Sequence, residues 1–233
     1  GRVTSFYGAE LQKYTSYRGH VSRDQRTSSN NVPVKQLLFC DRGVISVSHE
    51  SVHLSSRRGL TQWHISLPDM ENLRCMSFTG KGTDEIVVAG CQKQLYRIDV
   101  EKGTVTETLT PATPVPYTMM KRAGNCICAA AHDGSIYLLD LRTLVVQHHW
   151  KAYAGSINDM DARGDYLLTC GWAPRHYQGL ALEQLVRVYD LRIQKPAPPI
   201  SFPPGAAFVR LHPKLSTTCT VLSQAGAIYS IDI

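Results

Sequence analysis

Apolar residues come in short runs along this chain. Some runs alternate apolar with polar residues, others are wholly apolar, and Gly, Asp, Asn or Pro separates them. No long window keeps apolar residues at i, i+3, i+4 and i+7, the stripe of an amphipathic helix. Short runs bounded by turn residues predict an all-β chain. Four runs read alike: 94–100 (Gln-Leu-Tyr-Arg-Ile-Asp-Val), 135–141 (Ser-Ile-Tyr-Leu-Leu-Asp-Leu), 185–191 (Leu-Val-Arg-Val-Tyr-Asp-Leu) and 227–233 (Ala-Ile-Tyr-Ser-Ile-Asp-Ile). Each sets an apolar residue directly before an Asp.

Those residues, Asp99, Asp140, Asp190 and Asp232, are 41, 50 and 42 positions apart. Fainter copies stand at 1–6 and 51–54. A period near 42 is that of WD repeats, each a four-stranded blade of a β-propeller. Ile98, Leu139, Tyr189 and Ile231 then take the place of the repeat's Trp at the end of the third strand. Gly19-His20 matches the dipeptide that opens a repeat, and His132-Asp133-Gly134 reads as a tight turn before a third strand. One unit divides into strands at 117–122, 126–131, 135–141 and 145–150. The second strand is apolar throughout, as a strand covered on both faces should be. The expected blades are 20–66, 67–110, 111–152, 153–204 and 205–233, with partial blades at both ends. An open arc would leave sheet edges bare. The expectation is therefore a single incomplete WD-repeat β-propeller, about five to six blades of a parent that closes with about seven.

Composition narrows the class. The 233 residues are 43% hydrophobic and 19% charged, enough for a full core and too apolar for a disordered tail. The longest wholly apolar run, 126–131, falls far short of the roughly 18 residues of a membrane span, so no membrane partner is expected. The start has neither a signal-peptide layout nor an initiator Met, which reads as a piece of a longer protein. Seven cysteines without a Cys-x-x-Cys pair argue against a zinc ribbon and read as buried free thiols of an intracellular, cytoplasmic protein. The net charge is +6, and residues 1–35 hold six basic side chains against two acidic ones. That local excess suits an RNA or acidic contact, or a plain solvated loop.

The strings 116–125 (Pro-Tyr-Thr-Met-Met-Lys-Arg-Ala-Gly-Asn), 155–161 (Gly-Ser-Ile-Asn-Asp-Met-Asp), 186–192 (Val-Arg-Val-Tyr-Asp-Leu-Arg) and 208–216 (Phe-Val-Arg-Leu-His-Pro-Lys-Leu-Ser) resemble one propeller family. It is the N-terminal WD-repeat propeller of the catalytic subunit of the poly(A)-nuclease (PAN) deadenylation complex. The resemblance spans the whole chain and is most specific from Pro116 onward. It implies a parent that is a poly(A)-specific 3′-to-5′ exoribonuclease, shortening messenger RNA tails with two divalent metal ions (Mg) held in a distant C-terminal domain. It further implies a pseudokinase-like regulatory subunit and poly(A)-binding protein on poly(A) RNA as partners. The propeller itself is implied to be a non-catalytic docking element, without cofactor. The rival reading is a generic WD-repeat scaffold of another intracellular complex.

The residues agree that this segment carries no evident chemistry. Asp69-Met70-Glu71 has the Asp-x-Glu form of two-metal nucleases but lacks partner acids at useful spacing. Asp159 and Asp161 read as the exposed side of a first strand. His49 and His53 would share a face only on a helix, and His148 and His149 on a strand point apart. The 163–165 tripeptide (Arg-Gly-Asp) reads as a turn. Aromatics that stack bases need basic neighbours, for which Arg57, Arg58, Lys93, Lys121, Arg122 and Arg187 are scattered candidates for direct RNA contact. The best candidate is the insert 172–184, which stretches one spacing to 50. Read as a long loop between a second and a third strand, it carries Trp172, Arg175, His176 and Tyr177 as expected partner-binding residues. Trp, Tyr and Arg dominate binding hot spots, and loops on a rigid scaffold carry them. Leu180 and Leu182 would otherwise simply pack the loop onto its neighbour.

Overall fold

The computed structural model describes residues 1–8, 11–22, 32–80, 82–92, 94–111, 115–175, 179–215 and 217–233. Two compact units divide the chain, Gly1–Pro116 and Tyr117–Ile233. All regular structure among the described residues is β, and every strand pair is antiparallel.

The first unit holds three sheets. Strands β1 (Arg2–Phe6) and β2 (Lys13–Arg18) form a hairpin. A four-stranded meander follows: β3 (Gln36–Cys40), β4 (Gly43–Val47), β5 (Val52–Ser55) and β6 (Thr61–Ile65). The next meander is β7 (Leu73–Phe78), β8 (Glu85–Gly90), β9 (Leu95–Asp99) and β10 (Thr104–Leu109). The middle strands β4, β5 and β8 are buried on both faces and are mostly apolar, the His53 and Ser46 side chains of β5 and β4 being taken up by hydrogen bonds. Ile45, Val47, Val52 and Leu54 of one sheet pack with Met76, Ile86, Val88 and Ile98 of the other into one core.

The second unit repeats the plan. Its first sheet is β11 (Tyr117–Ala123), β12 (Cys126–Ala131), β13 (Ser135–Asp140) and β14 (Val146–Lys151). Its second is built on β15 (Ile157–Arg163), β16 (Tyr166–Arg175), β17 (Gly179–Leu182), β18 (Leu185–Asp190) and β19 (Lys195–Ser201). The last has three strands, β20 (Ala206–Leu211), β21 (Thr218–Ser223) and β22 (Ile228–Asp232). Pro196, Pro198 and Pro199 lie on outer strand β19, the last two at the register shift against β18, where a missing N–H is tolerated.

The repeated Asp has a local task. Asp99 Oδ1 accepts the backbone N–H groups of Glu101 and Lys102, both at 2.9 Å. Asp140 Oδ1 does the same for Arg142 and Thr143 at 2.9 and 2.8 Å, and Asp190 Oδ1 for Arg192 at 2.9 Å. These are Asx-type turns that close the third strand onto the outer one. Hydrogen bonds to each carboxylate, led by the turn N–H groups at Asp99 and Asp140 and by the Arg192 guanidinium at Asp190, hold their pKa values below the ordinary Asp range. Asp232 departs from the set and accepts instead from the Thr218 hydroxyl at 2.8 Å.

Three expectations change. The 172–184 insert is a hairpin rather than a loop: β16 runs on to Arg175, and its last four residues pair with β17. Cys91 is exposed, whereas Cys75, Cys128, Cys170 and Cys219 are buried. Asp159 and Asp161 do not face water.

Candidate functional site

The insert hairpin is anchored at its base. Trp172 is half-buried, and its indole N–H donates to Asn158 Oδ1 at 3.1 Å. Its backbone N–H donates to the Ser156 carbonyl at 3.0 Å, and its carbonyl accepts from Gly155 at 2.9 Å. Asn158 Nδ2 in turn donates to the Ala207 carbonyl at 2.6 Å, so the indole is tied through one amide to β20. Gly171, just before it, lies against the Tyr153 ring; a Cβ there would come within 2.7 Å of that ring, so only glycine fits. Tyr153 is buried and donates to the Thr169 carbonyl at 2.7 Å. The Arg187 guanidinium sits 4.8 Å from the Tyr153 ring centroid and is held by the Glu183 carboxylate at 3.1 and 3.2 Å.

The register sorts the hairpin's side chains. Trp172 pairs with Leu182, Ala173 with Ala181, Pro174 with Leu180, and Arg175 with Gly179. One face therefore carries Trp172, Pro174, Leu180 and Leu182, the other Ala173, Ala181 and the Arg175 position. Leu182 is half-buried near Gly205, while Leu180 is 60% exposed and Pro174 is exposed. The expected packing of both leucines onto the neighbour thus holds for Leu182 alone. Of the four expected binding residues, Trp172 is a half-buried anchor and Arg175 ends β16. His176 and Tyr177 lie outside the described residues.

Three of the six other basic candidates are engaged. Lys121 lies 3.6 Å from Asp161, Arg122 Nε donates to the Gly124 carbonyl at 3.3 Å, and Arg187 is held as above. Arg57 and Arg58 are exposed in the turn before β6, and Lys93 lies outside the described residues. Asp69 and Glu71 are exposed on either side of buried Met70. Among the described residues, no group of three or more His, Cys, Asp or Glu side chains is placed to hold a metal ion.

Two clusters escaped the sequence reading. Asp159 Oδ2 accepts the Val209 N–H at 3.0 Å and also pairs with Arg210, and Asp161 Oδ2 accepts the Leu211 N–H at 2.9 Å. Two acids of β15 thus hold the backbone of β20. Their partners lie some fifty residues away, beyond the reach of any local pattern. In the first unit, His20 bridges two serines, Nδ1 with Ser51 Oγ at 2.7 Å and Nε2 with Ser46 Oγ at 2.9 Å. Its ring centroid is 5.9 Å from that of His53 and 6.3 Å from that of His64. Burial, and then repulsion by the neighbouring imidazoles, lowers the His20 pKa to about 3 and the His53 pKa to about 4. The Gly-His dipeptide was the one signal of this network.

Antiparallel four-stranded meanders, Asp-closed turns and a buried Gly-His histidine define a WD-repeat β-propeller protein. The family model described as PAN2 N-terminal matches residues 1–232. The PAN2-PAN3 deadenylation complex catalytic subunit of Phaeosphaeria nodorum is 51% identical over the whole chain, and that of Aspergillus niger 48%. The chain covers 20% and 19% of those two proteins, so it spans about a fifth of the length of these relatives. The structure of the Neurospora crassa Pan2 WD40 domain matches with a TM-score of 0.90 at 38% identity, covering 100% of this chain and 69% of that one. The chain belongs to the PAN2 N-terminal family. That match removes the rival of an unrelated WD-repeat scaffold.

Proposed function

We propose that this propeller segment is a docking module of a poly(A)-shortening nuclease, working in the cytoplasm. It presents the β16–β17 hairpin to the PAN3-type pseudokinase subunit or to poly(A) RNA coated with poly(A)-binding protein. The nuclease chemistry, with its divalent metal ions, belongs to the remainder of the parent. The observation that carries the reading is the hairpin itself. Its base is fixed by Trp172, Asn158 and Tyr153, while Pro174 and Leu180 face solvent. A rigid base under an exposed apolar tip is the usual build of a hot spot. Seven free thiols fit a reducing compartment.

The test is a pull-down of the regulatory subunit by the full-length protein. Trp172→Ala with Arg175→Ala should weaken capture, and so should Leu180→Asp, which alters an exposed side chain and leaves the anchor in place. Undiminished capture by both variants overturns this reading.

A further inference from the structure

We propose that the groove between the β11–β14 sheet and the β15–β19 sheet, at the end where β11 turns into β12, is a docking pocket for a tryptophan side chain of a partner protein. Both walls are full sheets of the second unit. The first unit shows what such a groove holds. Between β3–β6 and β7–β10 it is filled from within. Trp63 of β6, opposite Leu54, lays its indole on Gly103 and donates its N–H to the Val100 carbonyl at 2.9 Å. Arg42 closes the mouth, donating to the Glu101 carbonyl and carboxylate, both at 3.0 Å. Tyr17 of β2 lies on Gly59 in the same way. In both cases an outer-strand ring covers a left-handed glycine in the turn of the next sheet, at φ of +64° for Gly103 and +87° for Gly59.

The second unit keeps this frame and omits the filling. Leu138 stands two residues before Asp140, as Leu54 stands two before Ser56, and each turn closes through a side-chain oxygen accepting a backbone N–H. Opposite Leu138 is His148, in the place of Trp63. The register shifts just beyond, passing over Gln147 in one pair and Gln62 in the other. Leu191 takes the place of Val100: its N–H donates to the Asp165 carbonyl at 2.7 Å, as that of Val100 does to Asp84 at 2.8 Å. Gln194, at φ of +53°, takes the place of Gly103. Asn125 and Arg192 replace Arg42 and Glu101, so no ion pair crosses the mouth. Arg192 turns back to Asp190 at 2.7 Å and Asp165 at 3.7 Å. His148 is exposed, with its ring 5.5 Å from that of Trp150.

The result is an open groove of about 250 Å³ lined by Leu138, Gln147, Leu191 and Gln194 among others. Whole small-molecule sites run to about 300–1,000 Å³, so the space suits one side chain. Among the described residues no side chain donates to the Leu191 carbonyl, the counterpart of the acceptor that Trp63 uses. A ring entering from solvent rests on Leu138, stacks on the Gln194 amide and reaches that carbonyl with an N–H. Tryptophan alone combines a flat apolar ring of that size with a single donor, and it is the side chain most enriched at binding hot spots. The glycine is dispensable at 194 because no ring is built into the neighbouring strand to press on it. The groove lies at the opposite end of the β15–β19 sheet from the insert hairpin, so it stands or falls separately from the docking reading above.

The experiment uses the full-length protein with N-acetyltryptophanamide as probe and saturation-transfer NMR read on the indole protons. The parent should transfer saturation to the probe. His148→Trp with Gln194→Gly rebuilds the arrangement of Trp63 and Gly103 and should abolish the signal. Gln147→Trp, which changes one exposed residue at the mouth, should abolish it too and decides the matter if the double variant folds poorly; thermal melting checks each variant. Leu180→Asp, on the insert hairpin, should leave the signal unchanged. N-acetylleucinamide should bind about three- to tenfold more weakly, the worth of the missing hydrogen bond. No transfer from the parent, undiminished transfer from the folded filled variants, or equal binding of the leucine probe overturns the proposal.

Discussion

Replacing Asp159 with alanine removes the acceptor that holds β20 to β15. The Val209 N–H, bonded to Asp159 at 3.0 Å, belongs to a fully buried residue and has no water to turn to. An orphaned buried donor costs about 1–3 kcal/mol. The lost pairing with Arg210 adds little, about 0–1 kcal/mol, because that side chain is 53% exposed. The expected loss is about 3 kcal/mol, or a fall in melting temperature of about 6–12 °C for a chain of this size. Asp159→Asn keeps an acceptor oxygen and should lose about 1 kcal/mol. Hydrogen exchange separates this local cause from general damage. The Val209 amide should lose protection in the alanine variant while the Ile127 amide of β12 keeps it. An alanine variant within about 0.5 kcal/mol of the parent, with the Val209 amide still protected, would refute the reasoning.

The histidine cluster makes stability depend on pH. His20 and His53 are held neutral when folded, with pKa values of about 3 and 4 against 6.5 when free, so the unfolded chain binds more protons. Full stability is therefore present above about pH 6.5 and falls as pH drops toward 4, by about 1.4 kcal/mol per unit for each imidazole. Denaturant melts between pH 7 and 4 should show that slope, and His53→Gln should shallow it. Thiol labelling gives another test. Exposed Cys91 should react first with a maleimide under native conditions, while Cys75 and Cys170, whose thiol pKa values burial pushes up, should react only after unfolding; peptide mass spectrometry reads the order.

Strand positions were legible because each strand's chemistry is local. The wholly apolar run 126–131 is β12, and the Asp-closed turns after β9, β13 and β18 follow from an Asp whose side chain reaches N–H groups two and three residues on. What the pattern missed depends on distant partners. Polar Asp159 and Asp161 on a strand normally signal a solvent face, yet here the neighbouring sheet's backbone supplies the polar environment. The insert's hairpin was missed for another reason. Trp172-Ala-Pro174 and Leu180-Ala-Leu182 do alternate, but Pro174 reads as a strand breaker. In the observed register Pro174 faces Leu180, and Trp172, two residues before it, points its N–H toward Ser156 and away from β17. The proline therefore falls where the strand needs no N–H toward its partner.

The weak WD consensus has a physical explanation in where the tryptophans went. The position before the repeated Asp needs an apolar plug, and Ile98, Leu139 and Tyr189 fill it while buried. Two of the three tryptophans sit on outer strands instead and reach the next sheet. Trp63 of β6 donates its indole N–H to the Val100 carbonyl at 2.9 Å, and its ring presses on Gly103 in the turn after β9. Gly103 has φ of +64°, and a Cβ there would come within 2.5 Å of the indole, so both the turn and the tryptophan demand glycine. Trp150 of β14 packs its ring 4.9 Å from that of Tyr189 on β18. In both cases the indole spans from one sheet's rim to the third strand, or its turn, in the next. The aromatic mass of the repeat is thus conserved in space while displaced in sequence, which leaves the period easy to read and the Trp-Asp signature absent.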